Sequence, residues 1–215
     1  MTETLRIHTE DGLSLEAELD GTADSHAVLV FCHPHPQMGG TMKAPLLLAV
    51  RDHLVSKGWS VLRFNFRGIA GSEGTSGIGY DELKDAGAAL DAACSRRPEV
   101  PVAIAGWSFG AAVAVKVAAE DDSLIACIAI APSVSEKEGI SAGLPAPETL
   151  DLGVPTLFLV GGNDDVTPPQ AAREWAEQAG IEFRAIPGAN HFFWGQYARL
   201  AEEVAEFLDR HKEAR

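Results

Sequence analysis

Gly106-Trp107-Ser108-Phe109-Gly110 follows an apolar run at residues 102–106 and opens an alanine-rich stretch of helical spacing at residues 109–119. Where a Gly-x-Ser-x-Gly motif joins a strand to a helix, the serine sits on a sharp, strained turn, and the flanking glycines let the two chains pass closely. The turn lifts the hydroxyl above the sheet, and the next N–H points to the same place from the helix start. The sequence therefore predicts Ser108 as a nucleophile and the Phe109 N–H as an oxyanion donor.

Nearly continuous apolar runs lie on both sides of this motif and alternate with stretches of helical spacing. The apolar runs are residues 27–32, 60–66, 102–106, 124–131 and 156–160, and the helical stretches are residues 44–56, 80–95, 109–119, 170–179 and 194–212. Such runs are typical of parallel strands covered by helices on both faces. Residues 5–9 and 13–19 flank a turn signal and predict a hairpin, and residues 182–186 predict an edge strand. The alternation predicts an α/β fold: a doubly wound, mostly parallel sheet of about eight strands with helices on both faces.

Length, charge and cysteine content limit the class of protein. The chain has 215 residues, of which 31 are acidic and 17 basic, giving a formal net charge of -14. This length suits a single α/β domain over residues 1–215. Nucleic acid binding is disfavoured because it depends on clustered Lys and Arg. A membrane span is disfavoured because no apolar run approaches the ~20 residues that a bilayer requires.

The cysteines and the N-terminus predict the compartment. The three cysteines, Cys32, Cys94 and Cys127, are odd in number and show no disulfide framework. Because the N-terminus also lacks a signal-peptide pattern, we expect a cytoplasmic protein.

A histidine and an aspartate that follow later strands complete a candidate triad. His191 comes just after the last predicted strand, and Asp164 and Asp165 follow the strand at residues 156–160. Loops after parallel strands gather at the carboxyl edge of the sheet, where Ser108 also lies. A serine hydroxyl needs a base to take its proton, and the base needs a carboxylate that orients the imidazole. We predict His191 as the base and Asp164 as the orienting acid. Asp165 is the alternative, and either aspartate also suits a helix cap.

The loop His33-Pro34-His35-Pro36-Gln37-Met38-Gly39-Gly40 is expected to supply a second oxyanion donor. Prolines have no N–H, so His35, between two prolines, is the candidate, with Gln37 or Met38 as alternatives. The His-x-His pair also suggests a metal site, but no third ligand occurs at a recognisable spacing. We therefore predict neither a metal nor a cofactor.

With these residues identified, the chain resembles the α/β-hydrolase superfamily from about residue 5 to residue 210. It is most similar to the small, capless, esterase-like members that are grouped with dienelactone-hydrolase-like proteins. The likeness is carried by the loop at residues 33–40, the Arg-Gly loop at residues 65–74 and the elbow at residues 106–110. The order Ser108, Asp164, His191 is also the triad order of that superfamily. Two residues depart from the pattern: Ala70 stands where the Arg-Gly loop usually has glycine, and Ser108 stands where dienelactone hydrolases have cysteine, which favours ordinary esters.

The resemblance implies hydrolysis of small carboxylic esters through an acyl-enzyme. The alternatives are thioester hydrolysis or acyl transfer by the same triad, and a non-catalytic binding module that keeps the fold. Only residues 132–155 are available to cover the site, so we expect an open site or a short flap. The expected partner is a small-molecule ester, and the oligomeric state stays open. The aromatic candidates to line an acyl pocket, or else to pack the core, are Trp107, Phe109, Phe192, Phe193 and Trp194.

Overall fold

The computed structural model describes residues 1–136 and 138–212, which form one eight-stranded sheet of order β1-β2-β4-β3-β5-β6-β7-β8. The strands are β1 (Thr2–His8), β2 (Ser14–Asp20), β3 (Ala27–Cys32), β4 (Trp59–Phe64), β5 (Val102–Trp107), β6 (Cys127–Ile130), β7 (Thr156–Gly161) and β8 (Glu182–Ile186). The helices are α1 (Pro45–Ser56), α2 (Glu82–Arg96), α3 (Phe109–Ala118), α4 (Pro169–Ala179) and α5 (Tyr197–His211). Two short 3-10 turns lie in loops, at Pro36–Met38 and Pro147–Thr149.

The strand pattern follows the burial of the sheet. β1 and β2 form an antiparallel hairpin, β2 also runs antiparallel to β4, and the other neighbouring strands are parallel. Every residue of β3 to β7 is buried, as expected for strands with both faces covered. β2 alternates between buried and half-buried residues, and β8, at the edge, is mostly half-buried.

Helices cover the sheet from both sides and enclose two apolar layers. On one face lie Leu90 of α2, Val113 of α3 and Trp175 of α4. On the other lie Leu47 of α1 and Leu208 of α5. The predicted doubly wound α/β sheet without a large cap is thus confirmed. Within residues 1–136 and 138–212, no helix combines the length and apolarity needed to cross a membrane.

One helix boundary differs from the sequence prediction for a clear backbone reason. The helical pattern predicts a start at residue 194, whereas α5 begins at Tyr197. Phe193 and Gly195 have φ angles of 52° and 74°, and these left-handed conformations are incompatible with a right-handed helix. Residues 190–196 therefore form a turn that projects its side chains in different directions.

A buried ion pair fixes the loop that follows β4. The Arg67 guanidinium donates to Asp85 Oδ1 at 2.7 and 2.9 Å, and the Arg67 backbone N–H donates to Asp85 Oδ2 at 2.9 Å. The Asp85 side chain is fully buried, and this burial raises the pKa of its carboxyl group against the opposing effect of Arg67. These bonds tie the loop to helix α2.

Candidate active site

Ser108 occupies the turn between β5 and α3 in a strained conformation. Its φ and ψ angles are 56° and -113°, and its N–H donates to Ile130 O at 2.8 Å. A Cβ on Gly106 would lie 2.0 Å from Gly110 O, and a Cβ on Gly110 would lie 2.4 Å from His33 O. Both glycines are therefore required by the close approach of neighbouring backbone. A bulky residue at either position would force the turn apart.

His191 lies within hydrogen-bonding distance of the Ser108 hydroxyl. The two side chains meet across 3.1 Å between His191 Nε2 and Ser108 Oγ. The loop after β8 carries the histidine, and Trp107 holds it by donating its indole N–H to His191 O at 3.1 Å. The imidazole ring is buried, so its orientation is set by its neighbours.

Asp164 completes a hydrogen-bonded chain of three side chains. His191 Nδ1–H donates to Asp164 Oδ2 at 2.9 Å, and the other carboxylate oxygen accepts the N–H groups of Val166 at 2.9 Å and Thr167 at 2.7 Å. A proton held at Nδ1 leaves Nε2 free to accept the serine proton. Asp165, the alternative, is exposed to solvent. Of the two aspartates, the fold brings Asp164 to the histidine.

The oxyanion candidates differ in whether their N–H groups are already occupied. Gln37 N–H donates to His35 Nδ1 at 3.2 Å, and Met38 N–H donates to His35 O at 3.1 Å. Among the described residues, the N–H groups of His35 and Phe109 have no hydrogen-bond acceptor. The two residues are also neighbours, with ring centroids 5.1 Å apart. His35 and Phe109 are thus the pair with free donors beside Ser108.

His33 is a structural residue of the same loop. Its ring is fully buried, its Nδ1–H donates to Pro34 O at 2.6 Å, and its Nε2 accepts the Phe66 N–H at 3.0 Å. Burial lowers its pKa to about 4, so the ring is neutral near pH 7. Both nitrogens are used, which leaves neither for a metal. Within the part of the chain that the structure describes, no three potential ligand side chains cluster.

A cavity of about 360 Å³ opens in front of Ser108. Three of the five aromatic candidates line it, namely Trp107, Phe109 and Phe192. Phe193 is instead fully buried in the core, and Trp194 is exposed outside the cavity.

The sequence reasoning missed several other residues at this cavity. Ile140 and Ser141 contribute to its wall, and Ile140 O lies 2.8 Å from His35 Nε2. They belong to the irregular stretch at residues 132–155, whose length was the only sequence signal. Met38 and Val166 also line the cavity. Met38 lies in the loop that is expected to supply an oxyanion donor, and Val166 lies beside the aspartates that are candidates for the triad.

Comparison with known proteins agrees with the fold of this chain. A family model described as serine aminopeptidase, S33, matches residues 23–150. An uncharacterized protein of Rickettsia prowazekii is 29% identical over 197 residues, which cover 87% of this chain and 80% of that protein. An α/β serine hydrolase homologue from Coxiella burnetii is 30% identical, with a TM-score of 0.84 over 96% of this chain and 97% of that one. An α/β serine hydrolase without a lid from Xanthomonas campestris is 26% identical, with a TM-score of 0.82 over 97% of this chain and 94% of that one. The chain therefore belongs to the serine aminopeptidase S33 family, as a small α/β serine hydrolase without a lid.

Proposed function

We propose that this protein cleaves small carboxylic esters through an acyl-enzyme formed on Ser108. The observation that carries the proposal is the continuous chain of contacts from Ser108 Oγ to His191 at 3.1 Å and from His191 to Asp164 at 2.9 Å. A nucleophile, a base and an orienting carboxylate at these distances are the requirement for serine hydrolysis. No cofactor takes part in this chemistry.

The three hydrogen-bonded residues have distinct roles in the proposed reaction. Ser108 Oγ attacks the ester carbonyl as His191 Nε2 takes its proton, and Asp164 stabilises the charged imidazole. The N–H groups of Phe109 and His35 donate to the oxyanion of the tetrahedral intermediate. His191 then gives its proton to the leaving alcohol. Water, deprotonated by the same histidine, attacks the carbonyl of the acyl-enzyme. The bond to Ser108 Oγ breaks, the acid leaves, and the histidine returns its proton to Ser108 Oγ.

The lining of the cavity supports an ester rather than a peptide with a free amino terminus, which the description of the family suggests. A carboxylate is the strongest partner for a substrate ammonium group removed from water. Among the described residues, no aspartate or glutamate lines the cavity. The side chains around Ser108 are mainly apolar, and they include Trp107 and Pro45. These surroundings suit an uncharged acyl group.

Covalent labelling with a fluorophosphonate tests the proposal directly. The wild type should gain one adduct by intact mass and cleave p-nitrophenyl acetate. Ser108→Ala should gain none, with kcat lower by a factor on the order of 10⁶, as in other serine hydrolases stripped of the nucleophile. Ser133→Ala is the matched control, since Ser133 also lines the cavity but, among the described residues, makes no hydrogen bond to the His191 ring. It should still take the adduct.

The opposite results would reject the proposal. An adduct that persists in Ser108→Ala and disappears in Ser133→Ala would show that Ser133, and not Ser108, is the nucleophile. A wild type that takes no adduct and cleaves no ester would favour a binding module that keeps the fold.

A further inference from the structure

The mouth of the cavity carries a group of exposed apolar side chains. Seven large hydrophobic side chains are exposed among the described residues, and four of them line the cavity: Met38, Ile140, Val166 and Phe192. A fifth, Trp194, stacks on Phe192 with ring centroids 4.8 Å apart and ring planes at 14°. We call these five residues the apolar rim. Single exposed apolar residues are ordinary, whereas a group of them beside a cavity marks a binding surface.

The backbone fixes the aromatic part of the apolar rim. Phe193 has a φ angle of 52° and a fully buried side chain, so the chain turns about an anchored residue. Phe192 and Trp194, on either side of it, are 40% and 67% exposed. Trp107 supports the pair from below, with its ring 6.0 Å from the Phe192 ring and nearly perpendicular to it. A left-handed conformation is unfavourable for a bulky residue, so the outward position of the pair is held against a local cost.

The cavity itself is too small to bury a large ester. Its volume of about 360 Å³ lies near the lower end of the range for ligand pockets. A longer apolar group must leave part of its length outside the cavity, against the rim. We infer that the apolar rim binds the distal part of a single ester molecule whose alkyl or aryl group extends beyond the cavity. This inference rests on the proposed function and extends its substrates from small esters to esters with a longer apolar group.

A substrate suits the apolar rim better than a protein or an anionic membrane does. Four of the five rim residues also line the cavity, so the rim is continuous with the space in front of Ser108. A second copy of the chain seated there would block the entry of substrate. An anionic lipid surface would repel a chain of formal net charge -14.

The test is the dependence of kcat/KM on chain length. It uses p-nitrophenyl esters from acetate to decanoate and a second series with aryl acyl groups, each kept below its solubility limit and its critical micelle concentration. Full transfer of a methylene from water is worth about fourfold in kcat/KM, and contact on one side about twofold. We therefore expect kcat/KM to keep rising through the longest alkyl esters.

Variants of the rim identify which residue is responsible. Trp194→Gln should lower the decanoate-to-acetate ratio of kcat/KM by about 2- to 10-fold, since it removes an aromatic face. Trp194→Phe should restore most of the ratio. Tyr80→Gln is the matched control, because Tyr80 is aromatic and 60% exposed but does not line the cavity, and it should leave the ratio unchanged. A loss confined to the alkyl or the aryl series supports the inference and identifies the group that the rim binds.

Three results would overturn the inference alone. The first is an equal ratio in the wild type, Trp194→Gln and Tyr80→Gln, while acetate is cleaved by the wild type and not by Ser108→Ala. The second is a flat dependence on chain length below the critical micelle concentration, with a rate that rises only in a companion assay above it, which would assign the rim to the surface of an aggregate. The third is a dimer, seen by light scattering, that Trp194→Gln dissociates. Failure of the wild type to cleave any ester would overturn the proposed function together with the inference.

Discussion

Mild acid should destabilise this protein through His33, at the start of the loop that carries His35. The neutral His33 ring donates through Nδ1 to Pro34 O and accepts the Phe66 N–H at Nε2. A second proton would replace the acceptor at Nε2 with a donor that faces another donor. Because the fully buried ring also cannot be solvated, its pKa falls from 6.5 to about 4.

The size of the effect follows from the difference between the two pKa values. In the unfolded chain His33 takes up a proton as the pH falls below 6.5, whereas in the folded protein it stays neutral until the pH approaches about 4. The stability contributed by the neutral ring is therefore complete above pH 6.5 and is lost as the pH falls toward 4. With about 1.4 kcal/mol for each pKa unit, the loss totals about 3 kcal/mol, of which about 2 kcal/mol appears by pH 5.

Urea unfolding between about pH 7.5 and pH 5 measures this loss, since unperturbed Asp and Glu titrate mainly below that range. His33→Gln removes the titrating ring, so its free energy of unfolding should fall by about 2 kcal/mol less than that of the wild type over the same interval. Any constant cost of the substitution cancels in this comparison. His8→Gln, at an exposed histidine, should keep the wild-type dependence. The reasoning is wrong if His33→Gln and the wild type lose stability in parallel, or if His33 titrates near pH 6.5 by NMR.

Three shorter predictions concern the triad, the elbow and the buried ion pair. Asp164→Asn should lower kcat by roughly 10³- to 10⁴-fold, whereas Asp165→Asn should leave it unchanged. Equal losses in p-nitrophenyl acetate assays would show that Asp164 is not the residue that orients His191. Gly106→Ala places a Cβ 2.0 Å from a backbone carbonyl oxygen of the elbow, so labelling by fluorophosphonate should be lost even where circular dichroism shows a folded protein. Arg67→Met leaves the buried Asp85 carboxylate without its partner, which should cost about 3–5 kcal/mol in urea unfolding; a loss below about 1 kcal/mol would contradict it.

The fold and the approach of the triad side chains could be predicted because both depend on regular features of the chain. Buried parallel strands leave an unmistakable apolar run, and the carboxyl ends of such strands share one edge of the sheet. Ser108 follows β5, Asp164 follows β7 and His191 follows β8, so strand order brings all three to the same edge of the sheet. Between Asp164 and Asp165 the strand order cannot decide, because both follow β7. The local turn decides, since Val166 and Thr167 donate their N–H groups to Asp164 and hold its other oxygen toward His191.

Loop contacts around the cavity have no such sequence signal. Ile140 comes to the cavity because its carbonyl oxygen pairs with His35, 105 positions earlier in the chain, and no periodic pattern relates the two.

Likewise, Phe192, Phe193 and Trp194 are three consecutive aromatic residues in the sequence, equally suited to a pocket or to a core. The positive φ angle of Phe193 separates them, with one residue buried and its two neighbours turned outward, and such an angle cannot be read from a non-glycine residue. The candidate catalytic side chains therefore lie at strand ends, where sequence patterns are informative, whereas much of the cavity wall lies in irregular loops. It follows that relatives sharing the Ser108 elbow and the strand order can share a reaction type and still differ in the substrates that they accept.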